Sequence, residues 1–286
     1  MKKKKYLSSY FLISPVVLGC LLFYGIPFGM VVSYSLKSSP GSMGRFVGLL
    51  NYENVLGNEL FRLACWNTFR FFLVGLPLNL LIAYGIALLL KGQAQKHGIL
   101  KSVLLLPYVM PVTGAVLLVE QIFGREGKLN LLLAAFGLST ENWLESSWAF
   151  VIILLLYLWK NVGYSVILLL AGLMTIPKEQ YAVSELDGAG KWQKFWHITT
   201  PQMWNPVFFA LLFAMINGFK CFREIFLIGG EHPGKELYMM QHFMNNSFEN
   251  LNYGKLSVAS VLLFGVIATV MGISYAWVRK KEGYKE

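Results

Sequence analysis

Residues 148–173 read WAFVIILLLYLWKNVGYSVILLLAGL. A single charge, Lys160, stands in a run otherwise made of aliphatic, aromatic and a few small or amide side chains. A bilayer core about 30 Å thick is crossed by a helix of about 20 such residues. Lipid offers the backbone no hydrogen-bond partners, so a run of this kind reads as a helix. Five more runs meet the same test: Tyr10 to Leu36, Asn67 to Leu90, Ser102 to Phe123, Asn205 to Ile228 and Leu256 to Val278. The pattern predicts an all-α membrane protein with six transmembrane helices.

Composition agrees. Of 286 residues, 56% are apolar and 14% are charged, against roughly 25% charged in an ordinary soluble domain. Too few charges exist to clothe a soluble surface, which excludes a soluble enzyme, a disordered chain and a fibrous repeat. The net charge of +10 would suit nucleic acid only if it formed a basic face on a folded domain. Here it falls in short patches between apolar runs, so no nucleic-acid partner is expected and lipid is the surrounding medium. Cys20, Cys65 and Cys221 are odd in number, far apart and without a CxxC. They read as small packing residues, with no disulfide framework and no metal site.

Lys2 to Lys5 look like the start of a signal peptide, but the apolar run behind them is too long and lacks a small-x-small cleavage pattern. The first segment is therefore expected to remain as an anchor. With the N-terminus inside, fourteen Lys and Arg fall on the inner side: Lys2 to Lys5, Lys91, Lys96, Lys101, Lys178, Lys191, Lys194, Arg279, Lys280, Lys281 and Lys285. Seven fall outside: Lys37, Arg45, Arg62, Arg125, Lys128, Lys235 and Lys255. This bias places both termini in the cytoplasm. Pro27, Pro77, Pro107 and Pro111 lie inside segments and are expected to bend them.

Several chemistries have no motif. None of the four Gly-Lys pairs is followed by Ser or Thr, so there is no P-loop and no ATP site is expected in this chain. There is no H-E-x-x-H and no G-x-S-x-G, and the four histidines (His97, His197, His232, His242) read as loop residues without ligand spacing. No catalytic residue is assigned.

The loop between the fourth and fifth segments stands apart. It runs TIPKEQYAVSELDGAGKWQKFWHITTP from Thr175 to Pro201. Thr175 can cap a helix with Pro177 in its first turn, running to about Leu186. Gly188 and Gly190 allow a tight turn. Asp187 can cap a second short helix through the amides of Ala189 or Gly190. That helix carries Trp192, Phe195 and Trp196 on one side and ends at Pro201. On physical grounds two readings stand: an interfacial aromatic anchor, or a docking knob for a cytoplasmic partner.

Asp187-Gly188-Ala189-Gly190, then Phe195, His197-Ile198-Thr199 and Pro201, resemble the EAA loop of permease subunits of binding-protein-dependent ABC sugar importers, similar to the maltose and glycerol-phosphate systems. Other matches are Gly48-Leu49-Leu50-Asn51-Tyr52, Asn67-Thr68, Trp159 with Asn161 and Gly163, Ala171-Gly172-Leu173 before Ile176-Pro177, and Phe222-Arg223-Glu224. The resemblance covers nearly the whole chain. It implies the type I ABC importer permease (MetI-like) fold. Residues 1–66 would form the first helix and an extracytoplasmic loop, 67–279 the transport core with its coupling loop at about 175–204, and 280–286 a cytoplasmic tail.

The partners implied are a dimer of cytoplasmic ATPase subunits, a second permease, an extracytoplasmic solute-binding protein and a sugar, in a bacterial cell membrane. ATP would be used by the ATPase, not by this chain. Ala182, Glu185, Asp187, Gly188, Ala189, Phe195 and Pro201 would make the coupling loop. The family's Glu-Ala-Ala falls on Ala182-Val183-Ser184, so its glutamate is missing. Glu179 and Glu185 each lie three residues away, one helical turn, and either could substitute.

Charged residues inside membrane segments tend to mark paths or internal ion pairs. Trp159, Lys160, Asn161, Tyr164, Asn217 and Lys220 are candidates for a sugar path. The bland alternatives are a Lys160 pair with Glu120 and a Lys220 pair with Glu224 at i and i+4. Functionally, the alternatives to a sugar permease are an importer of the same fold for another solute, such as glycerol-phosphate or an oligopeptide, and a membrane enzyme.

Overall fold

The computed structural model describes residues 2–38, 44–92 and 98–282, with side chains placed from residue 11 to residue 280. Lys96, His97 and Lys285 lie outside the described residues. Helix accounts for nearly all regular structure; the extended pairing among the described residues is an isolated bridge between Lys37 and Phe46. The chain divides into two compact units, Met1–Arg62 with Phe243–Ile267, and Leu63–His242 with Ala268–Glu286.

The elements are α1 (Lys2–Cys20), a π turn (Leu21–Gly25), α2 (Ile26–Ser35), α3 (Leu50–Leu56), α4 (Glu59–Leu90), α5 (Gly98–Val109), α6 (Val112–Phe123), α7 (Lys128–Ala135), α8 (Ala149–Met174), α9 (Lys178–Leu186), α10 (Lys191–Lys194), a second π turn (Phe195–Thr199), α11 (Thr200–Gln202), α12 (Trp204–Lys220), α13 (Phe222–Gly229), α14 (Met240–Glu249) and α15 (Tyr253–Glu282). Four of the six expected segments are continuous helices of span length: Phe11–Ser35, Glu59–Leu90, Ala149–Met174 and Tyr253–Lys280.

The other two are each built from two helices. The third is not straight from Ser102 to Phe123: Gly98–Val109 and the helical stretch Val112–Ala135 meet at 86° across Met110 and Pro111. Pro111 is extended (φ −56°, ψ 145°) where a helix would need αR, and it starts α6. The fifth joins α12 and α13 at Cys221, which keeps near-helical angles. Of the remaining prolines, Pro77 leaves α4 unbroken, and Pro27 follows the first π turn, where the Ile26 amide reaches back to the Leu21 carbonyl. The wider turn keeps that carbonyl satisfied next to a residue that has no N–H and whose ring crowds the preceding turn.

In the first unit, α3 fastens the end of α2. Asn51 Nδ2 donates to the carbonyls of Ser35 at 3.0 Å and Lys37 at 2.8 Å. The Tyr52 hydroxyl lies 2.8 Å from Ser35 Oγ. From Phe11 to Met30 the side chains of the α1–α2 helix are nearly all exposed.

In the second unit, α8 is the axis. Its Ile153, Leu156 and Tyr157 form one buried cluster with Phe71, Ala115, Ile225 and Leu237. Val166, Leu169 and Leu173 form another with Ala83, Ala87, Met203 and Ala210. The Tyr157 hydroxyl donates to the Ala214 carbonyl at 2.8 Å and ties α8 to α12. At Gly163 a Cβ would overlap the Leu104 carbonyl, so only glycine lets α5 cross α8 this closely. Asn67 donates to the carbonyls of Lys235 and Tyr238, and Thr68 accepts the Met240 amide. The start of α4 thereby holds the segment before α14.

Among the cysteines, Cys221 is buried, Cys65 is half-buried and Cys20 is exposed. Packing thus accounts for Cys221 and Cys65 but not for Cys20. Two histidines are not loop residues: His242 is buried on α14 and His197 lies in the second π turn. No metal-holding group of His, Cys, Asp and Glu occurs among the described residues.

Candidate coupling hairpin and central cavity

Residues 175–204 fold as a helical hairpin. Thr175 closes α8 rather than opening α9: its Oγ1 donates to the Gly172 carbonyl at 2.8 Å. Pro177, at φ −59° and ψ 133°, occupies the N-cap of α9 in its place. The helix then ends at Leu186, as the sequence predicts. Gly188 adopts φ +77°. The Gly188 amide donates to the Glu185 carbonyl and the Ala189 amide to the Ser184 carbonyl, at 3.1 and 2.9 Å. This is a Schellman closure, which needs a left-handed residue at the Gly188 position.

Asp187 is the C-cap of α9 and does not cap the second helix. Gly190 takes the N-cap of α10, and its amide donates to Gln193 Oε1 at 2.8 Å. The chain reaches Gly190 extended, at ψ 166°, one turn beyond where Asp187 could serve. Nor does Pro201 end the helix: it sits inside α11. The preceding π turn sends the Thr200 amide to the Phe195 carbonyl, the device already seen before Pro27.

The hairpin is bolted to the second unit on its inner side. The Tyr181 hydroxyl lies 2.8 Å from Thr199 Oγ1. Lys91 Nζ sits 3.9 Å over the Tyr181 ring. Ile176 is buried with Leu173 and Met203, and Ile198 packs on that cluster. Phe195 turns inward to Tyr84, at 6.0 Å between ring centroids. Outward lie Ala182, Val183, Glu185, Leu186, Asp187, Gly188, Trp192 and Trp196. Leu186 is 89% exposed and Trp192 71%. Glu185 pairs with Lys194 at 2.7 Å, which draws its carboxyl below the usual range.

The cavity lies where α8, the α5–α6 break and the α12–α13 junction converge. It encloses about 300 Å³ and is lined by Tyr108, Tyr157, Lys160, Asn161, Asn217, Lys220, Arg223 and Glu224, among others. Lys160 does not reach Glu120; its Nζ lies 2.6 Å from Glu224 Oε1. That contact also takes Glu224 from Lys220. Glu224 is 4% exposed and Asn217 8%, and Glu224 Oε2 and Asn217 Nδ2 have no hydrogen-bond partner. Buried polar atoms without partners are rare and costly.

Of the expected path residues, Lys160, Asn161, Asn217 and Lys220 meet here. Trp159 points elsewhere, into an apolar recess on α6 with Val119 and Phe123. Tyr164 stacks on Tyr108 at 4.6 Å without lining the cavity. Tyr108 and Arg223, which are not among the expected path residues, also line the cavity; the signal for Tyr108 is its position between the two prolines of the broken segment. A larger cleft of about 970 Å³ is lined by Glu120, Arg125, Glu126, Glu145 and His232, among others.

Residues 79–283 match the family of binding-protein-dependent transport system inner membrane components. The chain belongs to that family. The permease is 31% identical over 254 residues to the sulfoquinovosyl glycerol transport system permease protein SmoG of Agrobacterium fabrum, covering 87% of this chain and 82% of that one. It is 30% identical over 224 residues to the trehalose/maltose transport system permease protein MalF of Thermococcus litoralis, covering 78% and 76%. Its fold is that of a chain in the crystal structure of the bacterial alginate ABC transporter in complex with alginate pentasaccharide-bound periplasmic protein. There the TM-score is 0.80 at 19% identity, over 97% of this permease and 96% of that chain. The multi-pass membrane permease expected from the apolar runs and the loop motif is thereby established.

Proposed function

We propose that the permease carries a sugar or sugar derivative into a bacterial cell as one half of the pore of an ATP-driven importer. A second permease completes the pore, an extracytoplasmic binding protein delivers the solute, and a pair of ATPase subunits seats the 175–204 hairpin on the cytoplasmic side. The named functions of SmoG and MalF support the solute class. Lysine and arginine bias supports the orientation.

The observation that carries the reading is the hairpin itself: a turn at Gly188 with no other atom of the chain within 4 Å of where a Cβ would stand, flanked by exposed Leu186, Trp192 and Trp196. An interfacial anchor would use the aromatics but has no need of a rigid glycine turn. Ala182, Glu185, Asp187, Gly188 and Ala189 would meet the motor. Phe195 and Pro201 would hold the second arm in place. Because Ile176, Tyr181 and Ile198 are packed against α4, α8 and α12 residues, a push on the hairpin tip moves those helices rather than bending the loop. This is the link by which closure of the ATPase would turn the cavity from one side of the membrane to the other.

Lacking a P-loop, the permease would bind no ATP; hydrolysis belongs to its partner. The test is reconstitution of both permeases and the ATPase in vesicles with the binding protein. Labelled sugar should accumulate only with ATP, and a hydrolysis-defective ATPase should abolish uptake. Accumulation without ATP, or ATP hydrolysis by this chain alone, would refute the proposal.

A further inference from the structure

The central cavity holds one acidic and three basic side chains: Glu224 against Lys160, Lys220 and Arg223. Lys160 pairs with Glu224 through Oε1 alone. Lys220 and Arg223 have no acidic partner among the described residues, and both are exposed. Three residues apart at the α12–α13 junction, they share a face. Unpaired cations within a membrane segment are expensive and are retained where they meet a path or a ligand. The lining therefore carries two uncompensated positive charges beside two buried atoms without partners, Glu224 Oε2 and Asn217 Nδ2.

We propose that this cavity selects an anionic sugar derivative, one bearing a carboxylate, sulfonate or phosphate. Lys220 and Arg223 take the anionic group; Glu224 Oε2 accepts from a ring hydroxyl and Asn217 Nδ2 donates to another. The inference rests on the sugar-importer reading and adds the charge class to it. A neutral sugar would satisfy the two orphan atoms equally well but would leave both cations unpaired. An anionic sugar satisfies all four groups, its hydroxyls serving Glu224 Oε2 and Asn217 Nδ2, and the hydrogen bonds its anionic group makes to the cations are charge-assisted and about twice as strong as neutral ones. The Tyr108 and Tyr157 rings on the same wall offer faces to the apolar side of a pyranose.

The experiment is uptake by cells expressing the complete importer, with a labelled panel of uronate-, sulfonate- and phosphate-bearing sugars and their neutral counterparts, such as digalacturonate beside galactobiose. The transported solute should be acidic. Lys220→Gln with Arg223→Gln should lower its uptake at least about tenfold per assembled complex. Lys220→Arg with Arg223→Lys, which keeps both charges, should retain most of it. Assembly is counted by co-purification of the ATPase, so a folding defect does not pass for a loss of recognition. Preference for the neutral members, or undiminished acidic uptake by the double Gln variant, would overturn the anion assignment and leave the sugar reading standing. ATP-driven uptake of none of the panel would overturn the sugar reading itself and the inference with it.

Discussion

Lys160 Nζ lies 2.6 Å from Glu224 Oε1 and joins the middle of α8 to the first turn of α13. The side chains are 13% and 5% exposed, so each is the other's main compensation for desolvation. Two elements distant in sequence are thereby locked beside the cavity, and the lock is part of its wall.

Breaking a buried pair from one side leaves a charge without compensation, at a cost of about 3–5 kcal/mol. Lys160→Met should therefore lower both the yield and the melting temperature of detergent-purified permease. Adding Glu224→Gln should restore much of that stability while uptake stays impaired. A double-mutant cycle in melting temperature decides it: losses that simply add would contradict the pairing.

Gly163 is the contact point of α5 with α8. A methyl there meets the Leu104 carbonyl, which belongs to backbone and cannot swing aside. Gly163→Ala should destabilise by about 1–3 kcal/mol through overpacking, with Gly163→Val worse. Equal melting temperatures for wild type and Gly163→Val would show that the helices part at no cost.

His242 gives the fold a pH dependence. Its Nδ1 accepts the Met239 amide at 3.2 Å, and its ring sits among Phe222, Phe226 and Tyr238. Burial, aided by the charge of His232, pushes its pKa down to about 4. In the unfolded chain it titrates near 6.5. Between these values the unfolded state binds the proton and the folded state does not. The stabilisation is thus full above about pH 6.5 and is lost as pH falls toward 4, in total on the order of 3 kcal/mol. Melting curves from pH 7.5 to 4.5 should fall more steeply for wild type than for His242→Phe; parallel curves would contradict this.

The orientation is tested by reporter fusions. Fusions after Arg45 and after Lys235 should read outside, and one after Lys96 inside. A cytoplasmic signal from the Arg45 fusion would overturn the arrangement that puts the 175–204 hairpin next to the ATPase.

The long helices were legible because apolar length alone specifies them, as in residues 148–173. The broken third segment was not: its hydropathy runs on through Met110 and Pro111, and only the extended angle at Pro111 makes the bend. The hairpin was legible from Asp187-Gly188-Ala189-Gly190, yet its cap fell on Gly190, because the Schellman closure uses up Asp187 as the end of α9. Lys160 was visible as an isolated charge. Its partner was not, since Glu120 and Glu224 are equivalent in sequence terms and only the fold, which sets Glu224 2.6 Å from Lys160, decides between them. Trp159, one residue from Lys160, lies away from the cavity because neighbours on a helix face about 100° apart.

In the proposed importer the hairpin tip meets the ATPase at Gly188. Alanine there costs on the order of 1 kcal/mol for the positive φ and meets no atom of its own chain, so the helical core survives. Gly188→Asp adds bulk and a second charge beside Asp187 on the exposed tip. The decisive measurement is co-purification of the ATPase with wild-type and Gly188→Asp permease, paired with uptake in vesicles. The predicted result is normal membrane insertion with the ATPase lost, or retained but hydrolysing without transport. Full ATPase retention with normal uptake would contradict the claim and return the hairpin to the role of an interfacial anchor.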